Sequence, residues 1–112
     1  MAAIRTNLDT GWYERLPGTD DYDLVRAIAY EGEWIFPPHR FNLSVPKWLR
    51  WIQSAHDPRM LRAAAWHDHW LRQGMDRATA AAKARLIMRE DGVSAQRAWM
   101  AFFGMLIWTA FE

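Results

Sequence analysis

From residue 57 onward the chain is punctuated as a series of helices. Asp57 followed by Pro58 supplies a side chain that accepts from free backbone N–H groups and a ring already set at helical φ. Gly74 closes that helix. Asp76 opens the next, which runs through the Ala-rich stretch from 78 to 84 and stops at Gly92, and Ser94 opens a last one reaching about Ala110. Ahead of these, Ser44 with Pro46 two positions later predicts a shorter helix carrying Trp48, Leu49, Trp51 and Ile52. The punctuation therefore predicts about four helices, over 46–54, 58–73, 77–91 and 95–110.

Before the helices the period changes. Leu24, Arg26, Ile28 and Tyr30 alternate with Val25, Ala27 and Ala29; Glu31-Gly32-Glu33 is turn chemistry, and Trp34-Ile35-Phe36 follows before Pro37-Pro38 stops pairing. This predicts a β-hairpin over 22–36, which is marginal alone in water and must pack on the helices. Met1–Asp21 shows no period and contains the turn-forming Leu16-Pro-Gly-Thr-Asp20, so 1–21 reads as an irregular arm. With 112 residues there is room for one domain, 1–112, of α+β class and mostly α.

Composition narrows the function classes. An apolar share of 51% excludes wholesale disorder. The absence of cysteine excludes disulfides, thiolate zinc sites and cysteine nucleophiles. A net charge of +1 argues against a strongly basic nucleic-acid binder. The first residues hold no apolar run of signal-peptide length. The uncharged run Ala98–Phe111 would be a helix of about 21 Å, short of the roughly 30 Å hydrocarbon core of a bilayer.

Three features carry candidate chemistry. The first is Trp66-His67-Asp68-His69-Trp70 within the second predicted helix. Helical spacing puts His67 on a stripe with Met60, Ala64 and Leu71, facing the core or a cleft floor, while Asp68 is rotated about 100° away and His69 is expected to be wet. His67 and Asp68 are the catalytic and metal-ligand candidates. An imidazole and a carboxylate can hold a divalent ion that activates water, with His39 or His56 completing the shell. The plainer reading, preferred here, gives His67 a backbone carbonyl and Asp68 a nearby Arg such as Arg72, with no cofactor. Paired carboxylates such as Asp20/Asp21 and Glu90/Asp91 read as solvated turn and cap residues.

The second feature is Lys47-Trp48-Leu49-Arg50-Trp51 with Arg40 and Phe41 before it. Arg40, Trp48, Arg50 and Trp51 form a candidate binding surface for protein, or, as a weaker alternative, for stacked single-stranded bases. Covering the core is the plainer role for Trp48 and Trp51. The third is the terminal helix, where Trp99, Phe102, Phe103, Leu106, Ile107 and Phe111 go nearly all the way round. So small a domain has difficulty enclosing such a helix. Trp99, Phe103 and Trp108 are therefore candidate contacts for a second copy or a protein partner.

Three stretches taken in order resemble an uncharacterised bacteriophage and prophage family whose members share a domain of unknown function. They are Trp34-Ile-Phe-Pro-Pro with Phe41 and Ser44-Val-Pro46, then Arg62-Ala-Ala-Ala-Trp-His-Asp68, then Asp76-Arg77-Ala78 through Met88 to Gly92-Val93. Family members read Val-Pro-x-Gly-Phe-x-Thr-Asp-Gly-Ala-Ser-Ile-Pro, Ala-x-x-His-Asp, and Arg-x-x-Ala-Asp with a later Gly-Val. The Thr-Asp element is missing between Phe41 and Ser44, and Ala81 stands where the third motif has Asp, so only His67 and Asp68 of the family's polar residues carry over. The resemblance implies a phage or prophage product acting in the bacterial host cytoplasm or the virion. With its polar site eroded, it is expected to be a non-enzymatic binding or structural protein docked on a virion or tail component or a host protein. A metal-dependent hydrolase using the His-Asp pair is the alternative.

Overall fold

The computed structural model describes residues 11–42 and 57–110. Its first half is built of short antiparallel strands. β1 (Tyr13–Arg15) and β2 (Tyr22–Leu24) are joined by a turn in which Thr19 N–H donates to the Leu16 carbonyl at 3.2 Å. Pro17 and Gly18, the latter at φ 75°, fill its two central positions as a type II turn requires. β3 (Ile28–Tyr30) and β4 (Glu33–Ile35) form a hairpin, and β5 (Arg40–Phe41) returns to pair with β2. The sheet order β1-β2-β5 places β2 in the centre, with the β3–β4 hairpin as a separate ribbon.

This differs from the predicted hairpin over 22–36. The true hairpin spans 28–35, closed by Glu31 and Gly32, both at positive φ as a two-residue type I′ turn demands. Tyr22–Leu24 instead pairs with the preceding strand Tyr13–Arg15 on one side and with Arg40–Phe41, beyond the hairpin, on the other. The described part of the predicted arm, from Gly11 on, is not irregular throughout. Trp12 is buried and stacks on Phe41 at 5.7 Å, and Tyr13–Arg15 is an edge strand.

The second half follows the helical punctuation closely. α1 (Pro58–Arg72) begins at Asp57, whose carboxylate accepts from Arg59 N–H. α2 (Arg77–Glu90) begins at Asp76, which accepts from both the N–H and the hydroxyl of Thr79 at 2.9 Å. α3 (Ala95–Ala110) begins after Ser94, whose hydroxyl accepts from Arg97 N–H at 3.3 Å. The helix predicted over 46–54 lies outside the described residues. The class is α+β, as expected.

α2 lies between α1 and α3 and packs on both. Its Ala80, Ala81 and Ala84 are fully buried, and such small side chains let two neighbours approach one helix closely. The centre of the core is Trp66 and Trp70 on α1, both fully buried, with the Tyr30 ring against each at 5.9 and 6.0 Å. Each indole removes roughly 200 Å² from water, worth about 5 kcal/mol before ordering costs. α3 has fewer neighbours among the described elements. Only its Ala98 side is buried, on α2.

Candidate functional site

The buried stripe of α1 is centred on Trp66 and Trp70 rather than on His67, because these rings dominate the area to be hidden. His67 is left half-buried at the stripe's edge. It has no hydrogen-bond partner among the described residues, so the predicted bond to a backbone carbonyl is not seen there. Burial alone pushes its imidazole down to about 4, leaving it neutral at pH 7. Among the described residues no carboxylate opposes that shift.

Asp68 faces elsewhere. Its Oδ2 is 3.0 Å from Arg72 Nε, the expected i,i+4 partner, and 3.3 Å from Nε2 of His39, which arrives from the loop before β5. His39 and Asp68 are within ion-pair distance, but their approach is off the line that a hydrogen bond needs, and neither of those two atoms has an in-line partner. We therefore read it as an electrostatic contact. Burial raises the Asp68 carboxyl against the opposing charges of Arg72, His39 and His69. Burial lowers His39, while Asp68 pulls it back up. Arg72 also donates to the Arg40 carbonyl at 2.9 Å, so the cluster fastens the end of α1 to β5. His69, expected to be wet, packs edge-on against Trp66 at 5.5 Å and near His39 at 6.0 Å.

The arrangement separates the two neighbours in sequence: among the described residues His67 has no polar partner, and Asp68 joins His39 and Arg72. A cation on Asp68 Oδ2 would meet the Arg72 guanidinium at the same oxygen, which disfavours binding. Among the described residues no three His, Asp or Glu side chains form a group suited to a metal ion. His56 lies outside the described residues.

Of the binding candidates, Arg40 is exposed but committed to Asp23, with Nε at 3.0 Å and Nη2 at 3.4 Å. Trp48, Arg50 and Trp51 lie outside the described residues, as does the side chain of Trp108. On α3, Trp99 and Phe103 are exposed by 45% and 55%, and Met100 and Ile107 by 50% and 61%. Trp99 and Phe103 stack with centroids 6.1 Å apart, and the Arg85 guanidinium of α2 covers one face of Trp99 at 4.1 Å. No described helix is long and apolar enough to cross a membrane.

Two features escaped the sequence reading. Trp34 and Phe36 stand exposed and stacked at 6.0 Å, with the intervening Ile35 buried. The strict alternation of three apolar residues was the available signal, since a strand turns successive side chains to opposite faces. Asp91, read as a solvated cap, has a fully buried side chain. Its carboxylate receives Nε and Nη2 of Arg62, each at 3.0 Å, while Glu90 takes Nη2 at 2.8 Å.

No curated protein and no solved structure matches the chain. A family described as "Protein of unknown function (DUF1353)" matches residues 35–105, from the end of β4 through most of α3, a span holding His39, the His67-Asp68 pair and the exposed face of α3 up to Phe103. The chain belongs to this family of proteins of unknown function.

Proposed function

We propose that the protein is a small non-enzymatic docking or structural component, of phage or prophage origin, that seats exposed aromatic and aliphatic surfaces on a larger assembly. That assembly is a virion or tail component, or a host protein bound during infection. The carrying observation is the set of large apolar side chains left outside the core: Trp34 and Phe36 on the hairpin, and Trp99, Met100, Phe103 and Ile107 on α3. Tryptophan and phenylalanine with rigid neighbours are the residue types that dominate protein contacts. The phage assignment rests on the resemblance of the three sequence stretches. The commitment of Asp68 to Arg72 and His39 supports the non-enzymatic reading, because the pair serves to join α1 to β5.

The test is site-specific photo-crosslinking from Trp34 and from Phe103 in infected or lysogenic cells. A discrete adduct with one heterologous protein is expected from at least one position, lost when Phe36→Ser is added beside position 34 or Ile107→Lys beside position 103. Absence of any heterologous adduct from both positions would refute the proposal.

A further inference from the structure

Gln96, Met100, Phe103 and Ile107 lie along the outward side of α3 at intervals of four, three and four residues, and all four are exposed. This alternation keeps one seam of a helix facing a partner helix. Trp99 flanks the seam and is held in place by Phe103 on one side and the Arg85 guanidinium on the other. A ring fixed in this way loses little freedom on being covered. Gly104 lies beside the seam, next to Met100 and Ile107 in helical position. A Cβ added there would meet nothing within 4 Å. A glycine in mid-helix weakens the helix, and nothing among the described residues requires one. A surface outside the chain that comes close to the α3 backbone would require it.

We propose that the seam's partner is α3 of a second copy, so that the protein forms a two-fold dimer through paired α3 helices. This inference rests on the docking reading above and assigns one of its two surfaces, leaving Trp34 and Phe36 to the heterologous partner. Three observations favour a second copy. The seam carries no charged side chain, so its own image is not repelled. The whole chain has a net charge of only +1, which does little to keep copies apart. At about half exposure, Trp99, Met100, Phe103 and Ile107 present roughly 400 Å² per copy. Twice that, with Gln96 and Gly104 added, approaches the roughly 1,200 Å² at the low end of specific interfaces, so the dimer is expected to dissociate in the micromolar range. A lipid surface fits less well. Helices that lie on membranes carry a strongly basic polar face, whereas the opposite side of α3 is packed on α2.

The experiment is sedimentation equilibrium of the full chain from about 1 µM to about 100 µM, a range that brackets micromolar dissociation. It is run on wild type, Phe103→Glu and Gly104→Leu, with thermal unfolding and flotation on anionic vesicles of each. Wild type is expected to pass from monomer to dimer, and both variants to stay monomeric with dissociation constants raised at least tenfold. Gly104→Leu should unfold no earlier than wild type, because the open space accepts the side chain and the helix gains propensity; it therefore separates loss of pairing from loss of fold. A wild type monomeric throughout would overturn self-pairing, as would a dimer unaffected by either variant, or vesicle binding abolished by Phe103→Glu. A monomer that still crosslinks to a heterologous partner from Trp34 refutes the self-pairing alone. A monomer that crosslinks to nothing refutes the docking reading as well.

Discussion

Asp91 places a carboxylate at the C-terminal end of α2, where the helix dipole is already negative, and buries it completely. Burial raises its carboxyl, and the Arg62 guanidinium opposes this. Removing one partner of such a pair leaves an uncompensated buried charge. Asp91→Ala and Arg62→Met should each lower the unfolding free energy in urea by about 3 kcal/mol, and Arg62→Met/Asp91→Leu should recover most of it. A loss under about 1 kcal/mol in either single variant would show the pair to be dispensable. His67 predicts a pH dependence. Its folded value near 4 lies below the ordinary 6.5, so the unfolded chain binds the proton first as pH falls. The stability it contributes is complete above about pH 6.5 and is lost on the way down to about pH 4, up to about 3 kcal/mol in all. Denaturation of His67→Leu between pH 7.5 and 4.5 should show a flatter profile than wild type. Asp68 pairing with Arg72 was legible, since i,i+4 neighbours meet on any helix. The burial of Asp91 was not, because it depends on where α1 delivers Arg62, 29 residues away.

Among the elements, the described helices were legible to their bounds, whereas the hairpin was legible and the pairing of the other strands was not, for a physical reason. Caps act locally: Asp57, Asp76 and Ser94 each bond to a backbone N–H within three residues, so the start of every described helix is written beside it. Asp76→Ala should cost about 1 kcal/mol of stability, read by urea denaturation, because α2 loses both bonds to Thr79. Gly at the same position should cost only a few tenths. Strands of three residues have no such local determinant. Tyr22–Leu24 alternates as a hairpin arm would, yet its partners Tyr13–Arg15 and Arg40–Phe41 are chosen by packing of Trp12, Tyr22 and Phe41. The turn at Glu31-Gly32 was legible, and fixing its position alone shortens the hairpin to 28–35.

For the molecule as a whole, the excess of apolar surface was legible at the C-terminal helix and overlooked at the hairpin. Trp34 and Phe36 contribute to contact rather than to the core, so Trp34→Ser/Phe36→Ser should leave the unfolding free energy within about 0.5 kcal/mol of wild type. Binding of a hydrophobic dye to the native protein should fall at the same time. A loss of several kcal/mol would instead place those rings within the core. Tyr30 has the opposite character. Its ring rests on Trp66 and Trp70, Arg62 covers it at 5.6 Å, and its hydroxyl donates to Glu90 at 3.5 Å, so one hairpin side chain touches both α1 and α2. Tyr30 nevertheless precedes the span 35–105 by which the family is recognised. A fragment trimmed to that span would lack the wedge that closes its tryptophan wall, and should be recovered as a loosely packed, dye-binding species without a sharp melting transition.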